Sequence, residues 1–80
     1  MNDELLQDVL DLNFNTNEVA WLRHKVWIFR NHTEAGNDIG VARCEGDIHG
    51  FCYALMLCGK IDNEFVMNNL ENYLKYRWEK

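Results

Sequence analysis

Apolar residues recur along this chain at helical spacing, in four stretches separated by asparagine, threonine and glycine rather than proline. The first stretch carries Leu5, Leu6, Val9 and Leu10 at i, i+3/i+4 positions, with Asn2 or Asp3 placed to cap it. Its acidic first turn suits the positive end of a helix dipole. The segment Leu12-Asn13-Phe14-Asn15-Thr16 breaks this helix, and Asn15 or Thr16 opens a second. Glu18, three residues beyond Asn15, forms part of a capping box. Val19, Leu22, Val26 and Phe29 make one stripe of the second segment, Trp21, Lys25 and Ile28 lie on another face, and Trp27 points a third way. A helix apolar on several faces is expected to be covered on more than one side.

The third stretch has the longest periodic run. Val41, Cys44, Ile48, Phe51, Leu55 and Cys58 recur at spacings of 3, 4, 3, 4 and 3. Gly46, Gly50 and Ala54 form a second line at intervals of four, predicted to let another helix backbone approach closely. Such packing would offset the roughly 0.8–1 kcal/mol that each interior glycine costs relative to alanine. Gly59 is placed to end this helix. In the fourth stretch Asp62 or Asn63 caps a helix whose stripe is Val66, Leu70, Tyr73, Leu74, Arg77 and Trp78. Lys75, Arg77 and Lys80 suit the dipole at its end.

The expected fold is therefore all-α, a single domain over 1–80 of about four helices, with the last two forming an antiparallel helical hairpin. Val26-Trp27-Ile28-Phe29 is also rich in β-forming residues, and turn-like residues 31–38 follow it. An α+β alternative, with a β-hairpin at about 24–45, competes with the all-helical reading.

Composition narrows the function classes. Eighty residues, 48% hydrophobic and 26% charged, have the balance of one folded domain. The longest apolar run, Phe51 to Cys58, is eight residues, too short for a membrane span. The opening Asn2-Asp3-Glu4 has the wrong charge for a secretion signal, so a cytoplasmic location is expected. The net charge is −5 and unevenly spread. Residues 1–11 carry Asp3, Glu4, Asp8 and Asp11 without a cation, whereas residues 12–31 carry Arg23, Lys25 and Arg30 against Glu18 alone. An acidic chain is a poor direct nucleic-acid ligand, but the small basic patch over 23–30 suits an acidic partner.

Chemistry-bearing residues are few. Cys44, Cys52 and Cys58 are spaced by eight and six, unlike the short paired spacings of zinc sites, and no metal or cofactor is expected. They read as small buried apolar residues, with Cys44 and Cys58 in the core stripe and Cys52 beside it. His49 and Cys52 share a helix face at i, i+3, but no motif supplies an orienting carboxylate or an oxyanion site, so catalysis is not expected. The glycines at 36, 40, 46 and 50 match neither a dinucleotide fingerprint nor a P-loop.

The ten aromatic residues are too many for so small a core. Phe29, Phe51 and Tyr73 are expected inside, and Trp21, Trp27, Tyr76 and Trp78 on a partly exposed surface. Tryptophan and tyrosine are favoured interface anchors, and the basic patch beside them suits an acidic partner. The candidate protein-binding residues are accordingly Trp21, Arg23, Lys25, Trp27 and Arg30, with Trp78 secondary.

The stretch from Gly46 to Ile61 reads G-x-I-x-G, followed by A-L-x-x-x-G-x-I and an acidic-capped helix. It resembles small helical accessory proteins of bacteriophages, among them the cytoplasmic lysis-inhibition (antiholin) type of T-even-like phages. The resemblance covers about a fifth of the chain and implies a helical hairpin. It also implies a small regulator that binds a host or phage protein in the host cytoplasm, inhibiting lysis or a host process. It transfers no functional residue. The alternative expectation is a homo-oligomer that pairs through the glycine line and the aromatic face.

Overall fold

A computed structural model describes residues 1–79 and folds them into four α-helices: α1 (Asp3–Asn13), α2 (Thr16–Ala35), α3 (Asp38–Leu57) and α4 (Glu64–Tyr76). An asparagine caps the start of each. Asn2, Asn15, Asn37 and Asn63 accept from the backbone N–H three residues on, at Leu5, Glu18, Gly40 and Val66. This local bond competes with helix continuation and marks where each helix begins. At Asn15 the Glu18 carboxylate also accepts from the cap N–H at 3.1 Å, completing the capping box. Gly36 and Gly59, with φ of 70° and 74°, reverse the chain after α2 and α3.

The β-hairpin alternative at about 24–45 is not what forms, since α2 and α3 span that region with only Gly36 and Asn37 between them. Local β-propensity in Val26–Phe29 yields to the stripe of Leu22, Val26 and Phe29, which buries against the core only on a helix. The turn expected over 31–38 shrinks for the same reason, and residues 31–35 complete α2.

Side-chain register defines the packing. Trp21 meets Phe51, Lys25 meets Asp47, and His32 lies against Gly40, so α3 runs antiparallel to α2. Glu45 with Lys75 and His49 with Glu71 give the same sense for α3 and α4, the expected helical hairpin. Asp3 with Arg77 and Gln7 with Tyr73 set α1 antiparallel to α4. A buried cluster from all four helices fills the centre, including Leu6, Leu10, Leu22, Ile48, Leu70 and Leu74.

Two core expectations need correction. Cys58 is exposed and caps α3, while Cys52, placed beside the stripe by its spacing, is fully buried. The line of Gly46, Gly50 and Ala54 does not pack against another helix of the chain. All three are exposed, and a Cβ on either glycine would meet nothing within 4 Å. The tight glycine is Gly40, where a Cβ would fall 2.5 Å from His32 Cγ. The α2–α3 turn sets the Gly40 backbone against the His32 ring, so close approach occurs at the mouth of the hairpin rather than along the outer face of α3.

Candidate functional site

The second segment becomes a 20-residue helix with its apolar stripe on the core, and Trp27 falls on the opposite side with 63% of its surface exposed. A groove of about 380 Å³ opens beside it, between α2 and the turn following α4. Val26 and Trp78 supply buried apolar surface, and Arg23, His24, Arg30 and Glu79 the polar rim. His24 stacks on Trp27 with ring centroids 6.2 Å apart. Four of the six candidate binding residues, Arg23, Trp27, Arg30 and Trp78, thus converge on one concave surface.

Their roles differ from one another. Trp78 was expected as a partly exposed anchor, but it is 2% exposed and belongs to the core. Its indole N–H donates to Gln7 Oε1 at 3.0 Å, which satisfies the one polar group that favoured an interface position. Arg30 is half-buried and donates to three carbonyls: Nε to Lys75 at 3.1 Å, and Nη2 to Leu74 and Trp78 at 3.1 and 2.7 Å. The carbonyls of Leu74 and Lys75 are ones that the end of α4 leaves without helical partners, and that of Trp78 lies in the turn beyond. One cation there completes their hydrogen bonding and opposes the negative end of the helix dipole. Arg23 forks onto Glu79, with Nε 2.9 and 2.8 Å from its two oxygens and Nη2 2.7 Å from Oε1. That hydrogen bond and the carboxylate charge raise the Arg23 pKa, and its guanidinium also sits 5.9 Å from the Trp78 ring centroid.

Trp21 and Lys25 occupy a separate corner. Trp21, 45% exposed, lies 5.8 Å from the half-buried Phe51 ring, which in turn lies 4.9 Å from Phe14. Lys25 pairs with Asp47 at 3.0 Å and sits over Trp21 at 5.7 Å. The run of cations at 23, 25 and 30 is therefore not one basic patch. Helical rotation sends Lys25 toward α3 and leaves Arg23 and Arg30 beside the groove.

A polar cluster between α3 and α4 has no signature in sequence spacing. His49 Nδ1 lies 2.9 Å from Glu71 Oε2, and the buried Lys75 lies 3.6 Å from Glu71 and 3.9 Å from Glu45. The carboxylate absent from the local sequence around His49 thus arrives from α4, 22 residues on. It serves His49 and Lys75 rather than a thiol. Burial pushes Cys52 up to about 12, with Glu71 adding to the shift and Lys75 opposing it, so the thiol stays protonated at neutral pH. Among the described residues no three His, Cys, Asp or Glu side chains gather into a possible metal site.

Among the described residues no helix is long and apolar enough to cross a membrane. No protein-family model, curated protein or solved structure matches the chain.

Proposed function

We propose that this chain acts by binding another protein, with the groove beside Trp27 as its docking surface. The observation that carries this reading is an indole with most of its surface exposed, standing over an apolar floor and ringed by Arg23, His24 and Arg30. A large amphipathic ring beside a desolvated pocket is the usual form of an interface anchor. Catalysis, cofactor binding and direct nucleic-acid binding have no part in this reading. The resemblance over Gly46–Ile61 extends it to a phage-type regulator of a host or phage protein in the cytoplasm, blocking lysis or a host process.

The test is co-purification of tagged chain from infected and uninfected bacterial lysates, wild type beside Trp27→Ala, with bound protein quantified by mass spectrometry. A near-equimolar partner held by wild type and released by Trp27→Ala, at unchanged far-UV circular dichroism, is the expected result. Equal retention by both would remove the groove as the docking surface.

A second reading rests on a different surface. Gly46, Gly50 and Ala54 lie exposed on one side of α3, together with Tyr53 and Leu57. An open line of small residues suits helix-to-helix pairing between two copies. A melting temperature that rises with protein concentration would favour this homo-oligomer, and one independent of concentration would exclude it.

A further inference from the structure

Glu79 is the one non-glycine among the described residues with a positive φ, 53°. A side chain in left-handed backbone is strained, and such strain persists only where surrounding interactions hold it. Here the holding interaction is the fork from Arg23. Both members are about half exposed, with side-chain exposures of 55% and 44%, so water weakens the pair. A screened ion pair set against backbone strain makes a closure that is easily undone.

The charges around the groove are unbalanced in the same sense. Arg23, Arg30 and the exposed His24 face it, and among the described residues Glu79 is the sole carboxylate at its rim. Arg30 commits Nε and Nη2 to carbonyls, and its Nη1 has no hydrogen-bond partner among the described residues.

We propose that Glu79 is an internal stand-in for a partner carboxylate. The groove takes an acidic segment of a protein, one carboxylate of which replaces Glu79 on Arg23 while a neighbouring apolar side chain lies against Trp27. This deepens the docking reading above and rests on it. Release of Glu79 also relieves the backbone strain at that residue, so the displaced state is not penalised twice. Complementary charge then selects the partner and Trp27 supplies the apolar anchor.

The experiment uses the full chain and two fluorescein-labelled peptides, Glu-Glu-Leu-Glu-Glu and its glutamine counterpart Gln-Gln-Leu-Gln-Gln, followed by fluorescence anisotropy at low and high salt. The acidic peptide is expected to bind wild type in a salt-sensitive manner. Glu79→Gln should bind it about 3- to 5-fold more tightly, the effect of removing one exposed ion-pair competitor. Glu79→Gly, which removes the carboxylate and relieves the positive φ, should tighten it likewise. Adding Arg23→Gln to either variant should abolish the gain. Equal binding of the two peptides, no binding of the acidic one, or unchanged affinity in both Glu79 variants would each overturn the proposal. If the peptide result fails while Trp27→Ala still releases the captured protein, the groove remains the docking surface and its partner is not acidic.

Discussion

Gln7 and Trp78, 71 residues apart, are joined by a hydrogen bond of 3.0 Å from the indole N–H to the amide oxygen. The same oxygen accepts from the Tyr73 hydroxyl at 3.0 Å, so one side chain of α1 satisfies two buried aromatic residues at the end of α4. Gln7→Leu would leave both donors without an acceptor. A buried unsatisfied donor costs about 1–3 kcal/mol, and partial access of water to this site places the loss near 2 kcal/mol. For a chain of this size that lowers the melting temperature by about 8–16 °C. Gln7→Glu keeps the acceptor but turns the donor that Gln7 Nε2 offers Asp11 Oδ1 at 2.9 Å into a second carboxylate oxygen. It is therefore paired with Asp11→Asn, and that double variant should stay within a few degrees of wild type by calorimetry. Equal loss in both variants would show that the bond is not what holds α1 to α4.

Arg30 makes a parallel case at the other side of Trp78. Its three bonds to the carbonyls of residues 74, 75 and 78 bind the end of α4 to α2. Arg30→Met keeps most of the aliphatic stem and removes the guanidinium, at a cost of about 2–3 kcal/mol for charge-assisted bonds in a half-buried site. Arg30→Lys should recover little, because one ammonium cannot reproduce the planar fork. Urea denaturation checks the magnitude, and amide exchange should show residues 74–78 opening first. Uniform exchange across α4 would contradict the capping role.

These two knots explain which parts of the molecule were legible in the sequence. The four helices follow from apolar period and asparagine caps, both local signals, and Asn15 with Glu18 could be read before any contact was known. Trp21 and Trp27 were correctly placed on the surface because their helical positions lie off the stripe of Leu22, Val26 and Phe29. Trp78 lies on the apolar stripe of the fourth segment and is buried with it; what the sequence hides is the acceptor for its indole N–H, Gln7, a polar residue of α1 with no spacing relation to it. Glu71 was missed beside His49 for the same reason. Arg23, Lys25 and Arg30 looked like one patch along the chain, but their fates depend on Glu79, Asp47 and the end of α4. Partners that meet only through tertiary packing leave no periodic trace.

The glycines of α3 give opposite signs within one helix. Gly46→Ala and Gly50→Ala add a methyl group to open space and remove the entropic cost of glycine. Each should stabilise the chain by about 0.5–1 kcal/mol. Gly40→Ala drives a Cβ into the His32 ring, at 2.5 Å from its Cγ, and should destabilise by about 1–3 kcal/mol. Paired measurements of melting temperature check all three. If copies instead pair through the glycine line, Gly50→Ala would destabilise and abolish any dependence of melting on concentration.

Cys52 makes stability sensitive to alkaline pH. Its thiol is pushed from an ordinary value of 9.0 up to about 12, first by burial and then by the charge of Glu71. Well below pH 9 the thiol is protonated in both folded and unfolded chains and contributes no pH dependence. Between about 9 and 12 the unfolded chain releases this proton and the folded chain keeps it, so unfolding becomes more favourable as pH rises. The slope from this one group approaches about 1.4 kcal/mol per pH unit. Cys52→Ala removes it at a constant cost for the lost side chain, so the stability difference between wild type and variant should narrow steadily from pH 9 to 11. Urea midpoints at half-unit steps would measure this. Parallel curves would mean that the folded thiol titrates near its ordinary value. Iodoacetamide at neutral pH provides the companion measurement. The exposed Cys58 should react promptly to one equivalent per chain, and the buried Cys44 and Cys52 only as fast as the protein opens.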